Sequence, residues 1–282
     1  MEKLAGRTLA MNVAPEIIAM ADHVLEQHSE VLAVLAYGSC LRGVATTESL
    51  IDLYVLTETL NGVSGNALLR TGCRLVPPNV HFAECEFEGR IYRAKYAVLP
   101  RALFAAWMTS DNPYFWARFS QPAALVWTSD AISRAMVGKA CAQAAETMFA
   151  NARALTDATD PLDIWTAGFA ETYATELRAE TASRARSVVE ANADYYREAA
   201  KLLAHVEPKP ALWGLRRFKG KLWSVVRLIK AAFTFTGGAD YIAWKIERHS
   251  GQKVELSDWQ KRHPVIASVT LLPKLLKSGA VR

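Results

Sequence analysis

Two short apolar runs, residues 31–37 and 51–57, stand out against a mixed background, with Gly38, Ser39 and a polar stretch between them. Runs of that length with almost no polar interruption predict strands buried on both faces. Upstream, Ile17, Ile18, Ala21, Val24 and Leu25 recur at helical spacing within 13–30, and Pro15 suits a helix start. Residues 58–79 carry Gly, Asn and Pro, with a short helix expected at 65–71. The alternation in 80–87, the Glu88-Gly89 pair and the run 90–99 predict a β-hairpin, which Pro100 ends. Helical spacing fills 101–110, 130–155 and 161–204, the last broken by capping residues. Pro208 and Pro210 mark a boundary before a basic amphipathic helix at 213–235, which Gly237-Gly238 closes.

Composition narrows the class without fixing it. At 282 residues, 51% hydrophobic and 22% charged, the chain has the make-up of a folded globular protein. Cys40, Cys73, Cys85 and Cys141 are scattered without CxxC spacing, which argues against a zinc site or a disulfide scaffold and for a reducing compartment. The opening residues 1–7 lack a sustained apolar run, and no apolar segment reaches the ~20 residues a spanning helix needs. The expectation is a cytoplasmic protein, or one on the cytoplasmic face of a membrane. Residues 208–282 hold 15 Lys/Arg against 4 Asp/Glu, a net +11, which leaves −6 on the remainder of a chain whose total is +5. A basic tail on an acidic body implies an anionic partner for the tail.

The candidate chemistry centres on the first strand pair. A Gly-Ser turn lets backbone N–H groups approach phosphates, and a carboxylate embedded in the next strand, Asp52, can hold Mg²⁺. Nucleotidyltransferases of the polymerase-beta-like type use this arrangement, usually with two acids at i and i+2. Here Leu50 stands where the first would be. Glu84, Glu86 and Glu88 alternate along the hairpin and share a face, either as a further ligand or as the wet side of a half-exposed strand. Lys95 reads as an edge residue or a phosphate contact. Arg118, in an aromatic-rich segment, reads as a phosphate fork or a structural ion pair. Glu176 and Arg178 have the spacing of a surface pair. The helix from Trp213 mixes Trp, Phe and Leu with Lys and Arg, as interfacial helices on anionic lipid do, and a core helix with solvated cations would read the same way.

Taken in order, these pieces resemble the mitochondrial translocator-maintenance type of phosphatidate cytidylyltransferase (CDP-diacylglycerol synthase) and its bacterial relatives. Tyr37-Gly38-Ser39 is similar to that family's Tyr-Gly-Ser turn, and Ile51-Asp52-Leu53 to its second strand, which also carries a single acid. Lys95-Tyr96-Ala97-Val98 looks like its Lys-Tyr-Gly-Val. The segment Trp116 to Pro122 looks like its Ala-Gly-Arg-Leu-x-Lys-Pro. Tyr173 to Arg178 looks like a helical Tyr-x-Gly-Asp-x-Arg, and Arg227 to Thr234 like Arg-x-x-x-Lys-Gly-x-Phe-Thr. The likeness spans about residues 30–236. Departures are Ala97 for Gly, Gln121 for Lys and Glu176 for Asp, and residues 246–264, His249 included, have no counterpart.

The resemblance implies an α+β fold: a nucleotidyltransferase-type domain at 1–128 with a mixed sheet and helices, a helical domain at 129–207, and a basic membrane-associating region at 208–282. It implies Mg²⁺ held by Asp52 and Glu176, with Lys95 beside them in catalysis. Tyr37, Gly38, Ser39, Arg118, Tyr173, Arg178, Arg227 and Lys230 would bind substrate. CTP and phosphatidic acid would give CDP-diacylglycerol and pyrophosphate at the inner face of the cell membrane, with no nucleic acid involved. Two alternatives stay open: a soluble acceptor, or a non-catalytic binding relative.

Overall fold

The computed structural model describes residues 1–41, 49–176, 182–234, 243–244, 256–257 and 259–260. The sheet is built from β1 (Val31–Tyr37), β2 (Leu50–Thr57), β3 (Asn79–Phe87), β4 (Arg90–Pro100) and β5 (Ala123–Thr128), in the order β3-β4-β2-β1-β5. It is mixed: β2 and β4 run parallel, and the other neighbours are antiparallel. The parallel step requires a crossover, supplied by α3 (Leu60–Val63), α4 (Ala67–Leu75) and β3. The class is α+β, as the sequence predicts.

The remaining helices are α1 (Glu2–Leu9), α2 (Pro15–Leu25), α5 (Arg101–Trp107), α6 (Trp116–Phe119), α7 (Ala131–Arg153), α8 (Pro161–Ala174), α9 (Ala182–Glu190), α10 (Ala193–Leu202) and α11 (Trp213–Thr234). Local chemistry sets several of their starts. The Asp130 side chain accepts from the Ser133 N–H at 2.7 Å, and Asp160 accepts from Leu162 at 2.7 Å with Pro161 behind it. Asn66 caps α4 in the same way. The stretch 161–204, expected to be helical with breaks, is three helices, and the one predicted over 13–30 stops at Leu25. Short elements escape the periodicity reading: α1, the four-residue α3 and α6, and the edge strand β5, whose run is only six residues.

One hydrophobic cluster runs from Leu4 to Trp213, joining sheet residues such as Leu35, Leu53 and Val98 to Met148, Trp165 and Tyr196 on the helices. Helix α7, which begins just after residue 128, packs against α1, α6 and α8.

The long basic helix α11 is fastened to the body along its length, most firmly at Arg216, Gly220 and Lys230. The Arg216 guanidinium is buried and donates to Asp111 Oδ1 at 2.8 and 2.7 Å and to Asn151 Oδ1 at 2.5 Å. Gly220 lies against the end of α8, where an added Cβ would be 2.4 Å from the Thr175 carbonyl oxygen, so only glycine permits the approach. Lys230 Nζ donates to the carbonyls of Val76 and Pro78, each at 2.6 Å, and to Asn79 Oδ1 at 3.0 Å. Among the described residues no helix is long and apolar enough to cross a membrane. The Gly237-Gly238 break lies outside the described residues, as does the 246–264 segment apart from 256–257 and 259–260.

Candidate active site

Sheet register assembles the site before any helix is added. Tyr37 on β1 is paired with Asp52 on β2, and Asp52 with Lys95 on β4. In-register neighbours on adjacent strands point to the same face, about 4.8 Å apart. A residue from the end of one strand, an acid and a lysine therefore stand in a row across three strands. Tyr54 and Ala97, two residues on from Asp52 and Lys95, continue the same face. The chain leaves β1 through Gly38, whose φ of +81° lies in the left-handed region, into a short 3-10 turn at Gly38–Leu41. A Cβ at Gly38 would sit 3.6 Å from Asp52 Oδ2, so the turn backbone passes directly over the carboxylate. Ser39 is exposed at this point.

Helices close the other side. A cleft of about 990 Å³, part of it open to solvent, is lined by Tyr37, Gly38, Ser39, Asp52 and Lys95 from the sheet side. Arg118 of α6, Tyr173 of α8 and Glu176 just beyond it face them. Eight of the candidates named from sequence thus share one cleft, although Asp52 and Glu176 are more than a hundred positions apart. Two described candidates, Arg227 and Lys230, do not line it. Arg178 lies outside the described residues. Lys230 is turned away into the acceptors at Val76, Pro78 and Asn79, where it holds α11 to the body. Arg227 stands behind Tyr114, at the cleft's edge.

That edge is an aromatic and cationic cluster. Arg118 donates to the Tyr54 hydroxyl at 2.8 Å, and its guanidinium carbon lies 4.6 Å from the Tyr114 ring centre and 5.4 Å from that of Tyr37. Arg227 lies 3.5 Å from the Tyr114 ring centre. Burial works against the charge on Arg118, but Tyr54, Tyr114, Tyr37 and Glu176 outweigh it, and its pKa rises well above the ordinary value. Burial likewise pushes the Tyr114 phenol up, while Arg118 and Arg227 more than reverse that and draw it below its ordinary range. Arg227, buried with fewer compensating neighbours, is lowered. Its buried Nε and Nη2 atoms, which form one edge of the guanidinium fork, have no hydrogen-bond partner.

The acidic hairpin residues do not join the site. Glu84 is ion-paired to Arg93 at 2.7 Å, and Glu86 and Glu88 are exposed with it on the hairpin's open face. Cleft residues not singled out from sequence include Tyr54, Tyr114, Arg184 and Val188. Tyr54 follows Asp52 at i+2 and so carried a signal, since alternate strand residues share a face. Tyr114 and the α9 pair depend on tertiary packing that spacing does not encode.

Among the described residues no group of three or more His, Cys, Asp or Glu gathers to hold a metal. A dedicated protein cage does not fit. Two carboxylates, Asp52 and Glu176, facing a phosphate-compatible turn do fit Mg²⁺, which typically takes one or two carboxylates and completes its shell with water and substrate phosphates.

No family model matches the chain, and no curated protein matches it. Among solved structures it is similar to a nucleotidyltransferase-like protein from Exiguobacterium sibiricum 255-15, with a TM-score of 0.29 and 11% identity over 94% of this chain and 92% of that one.

Proposed function

We propose that the chain is a nucleotidyltransferase that binds a nucleoside triphosphate in this cleft, and more finely a phosphatidate cytidylyltransferase. The observation that carries the reading is the row formed by the Gly38-Ser39 turn, Asp52 and Lys95, faced across the cleft by Arg118 and Glu176. Nucleotidyl transfer asks little covalent work of a protein; it requires charge neutralisation and in-line placement. Backbone N–H groups after Gly38 and the Ser39 hydroxyl would hold phosphate oxygens. Asp52 and Glu176 would hold Mg²⁺, which when bound neutralises charge on the triphosphate. Lys95 and Arg118 would take the phosphate oxygens that gain charge as pyrophosphate leaves.

A phosphomonoester acceptor suits the site because its second pKa is about 6, so it reaches the α-phosphorus already ionised and needs no general base. The lipid form of the acceptor is motivated by α11. Leu215, Phe218, Leu222, Val225 and Ile229 are exposed at alternating spacings of three and four residues, with Lys219 and Lys221 also exposed on the same helix. That is the make-up of a helix lying on an anionic bilayer. The predominantly polar lining of the cleft equally suits a soluble phosphorylated acceptor.

Purified protein with Mg²⁺ and each of the four ribonucleoside triphosphates, with and without phosphatidate vesicles, separates these readings by pyrophosphate release. Release with CTP only when vesicles are present is the expected result. Release that ignores vesicles would overturn the lipid acceptor, and no release under any condition would overturn the enzyme.

A further inference from the structure

Resting on that reading, we propose that Arg184, on α9, is a further ligand-binding residue whose guanidinium takes a phosphate group at the mouth of the cleft. Helix α9 is anchored by its own apolar face: Ala185, Val188 and Val189 are buried, and the helix packs against α8 and α10. Arg184 and Val188 are four residues apart and both line the cleft, so one face of the helix looks into it.

The neighbouring cation is committed elsewhere. Arg186 pairs with Asp163 and with Glu190, the latter at 2.8 Å, which ties α9 to α8. Arg184 has no ion pair among the described residues and is exposed. Among the described residues the cleft lining then holds three cations, Lys95, Arg118 and Arg184, against two carboxylates, Asp52 and Glu176. A lining with an unspent positive charge is complementary to an anion. A planar guanidinium fork matches a phosphate better than a carboxamide or sugar.

Two sources offer such a phosphate: the leaving end of the triphosphate and the phosphomonoester of the acceptor. Calorimetry in Mg²⁺ buffer with inorganic pyrophosphate and, separately, glycerol 3-phosphate distinguishes them. Arg184→Gln is expected to weaken at least one probe about tenfold or more, the loss of a charge-assisted contact. Arg184→Lys should recover part of that loss, and the melting temperature should stay unchanged because the residue is exposed. Loss confined to pyrophosphate assigns Arg184 to the triphosphate, and loss confined to glycerol 3-phosphate assigns it to the acceptor. If wild type binds either probe and Arg184→Gln binds both equally well, this role is overturned while the enzyme class stands. If wild type binds neither, both fall together.

Discussion

Individual residues in this fold answer to their burial more than to their type. Asp52 is only half-buried at the end of a strand whose other residues from Ile51 to Thr57 are sealed, and the glycine turn beside it leaves its carboxylate at the cleft. On the sheet's other face, His81 is buried with its ring stacked on Tyr96 at 5.1 Å and its Nε2 unpartnered. Burial first, then the charges of His28 and Lys230, push the His81 imidazole down to about 3. In the unfolded chain it would titrate near about 6.5. Between those two values the unfolded chain holds a proton that the folded chain refuses, so stability falls as pH drops through that window and is flat above it. His28, lowered by burial, acts in the same direction. The melting temperature should therefore fall between about pH 7 and pH 5, and His81→Phe, which keeps a ring against Tyr96, should fall less. An equal fall in the variant would contradict this assignment.

At the scale of elements, the fastening of α11 decides whether the cleft's edge is held. Arg216 reaches from the helix to Asp111 and Asn151, and the same helix brings Arg227 to Tyr114 three turns later. Arg216→Met should let Asp111, which is largely exposed, return to water, but would strand the buried Asn151 carbonyl. The expected loss is about 1–3 kcal/mol, with faster amide hydrogen exchange along 213–234. Unchanged melting and exchange would show that the helix is held by other contacts. The elements legible in sequence were those with long or clean periodicity: β1, β2, the hairpin, α7 and α11. Others were missed for physical reasons. The edge strand β5 is too short to announce itself. The breaks expected within 161–204 fall where α8 ends beside Glu176 and where Asn192 precedes α10. Helix α1 is short and amphipathic, and docks on α7 only in the folded chain.

Across the whole molecule, sequence order and spatial order diverge most at the site. The turn, Asp52 and Lys95 come together through strand register, which alternation within each strand foreshadows. Arg118 and Glu176 arrive through helices whose placement no local pattern states; only the resemblance linked them to Asp52 beforehand. The same resemblance names Lys230 as a substrate contact, whereas in this structure its amine donates to Val76, Pro78 and Asn79. One core joins the sheet to α7 and α8, which lets a carboxylate beyond α8 serve a cleft on the sheet. The central claim is that Asp52 and Glu176 act together on a bound nucleotide, and pyrophosphate release with CTP, Mg²⁺ and phosphatidate measures it directly. Asp52→Ala and Glu176→Gln are each expected to slow release by about a hundredfold or more, while Leu50→Ala stays close to wild type. Release by Asp52→Ala at the wild-type rate would contradict the claim.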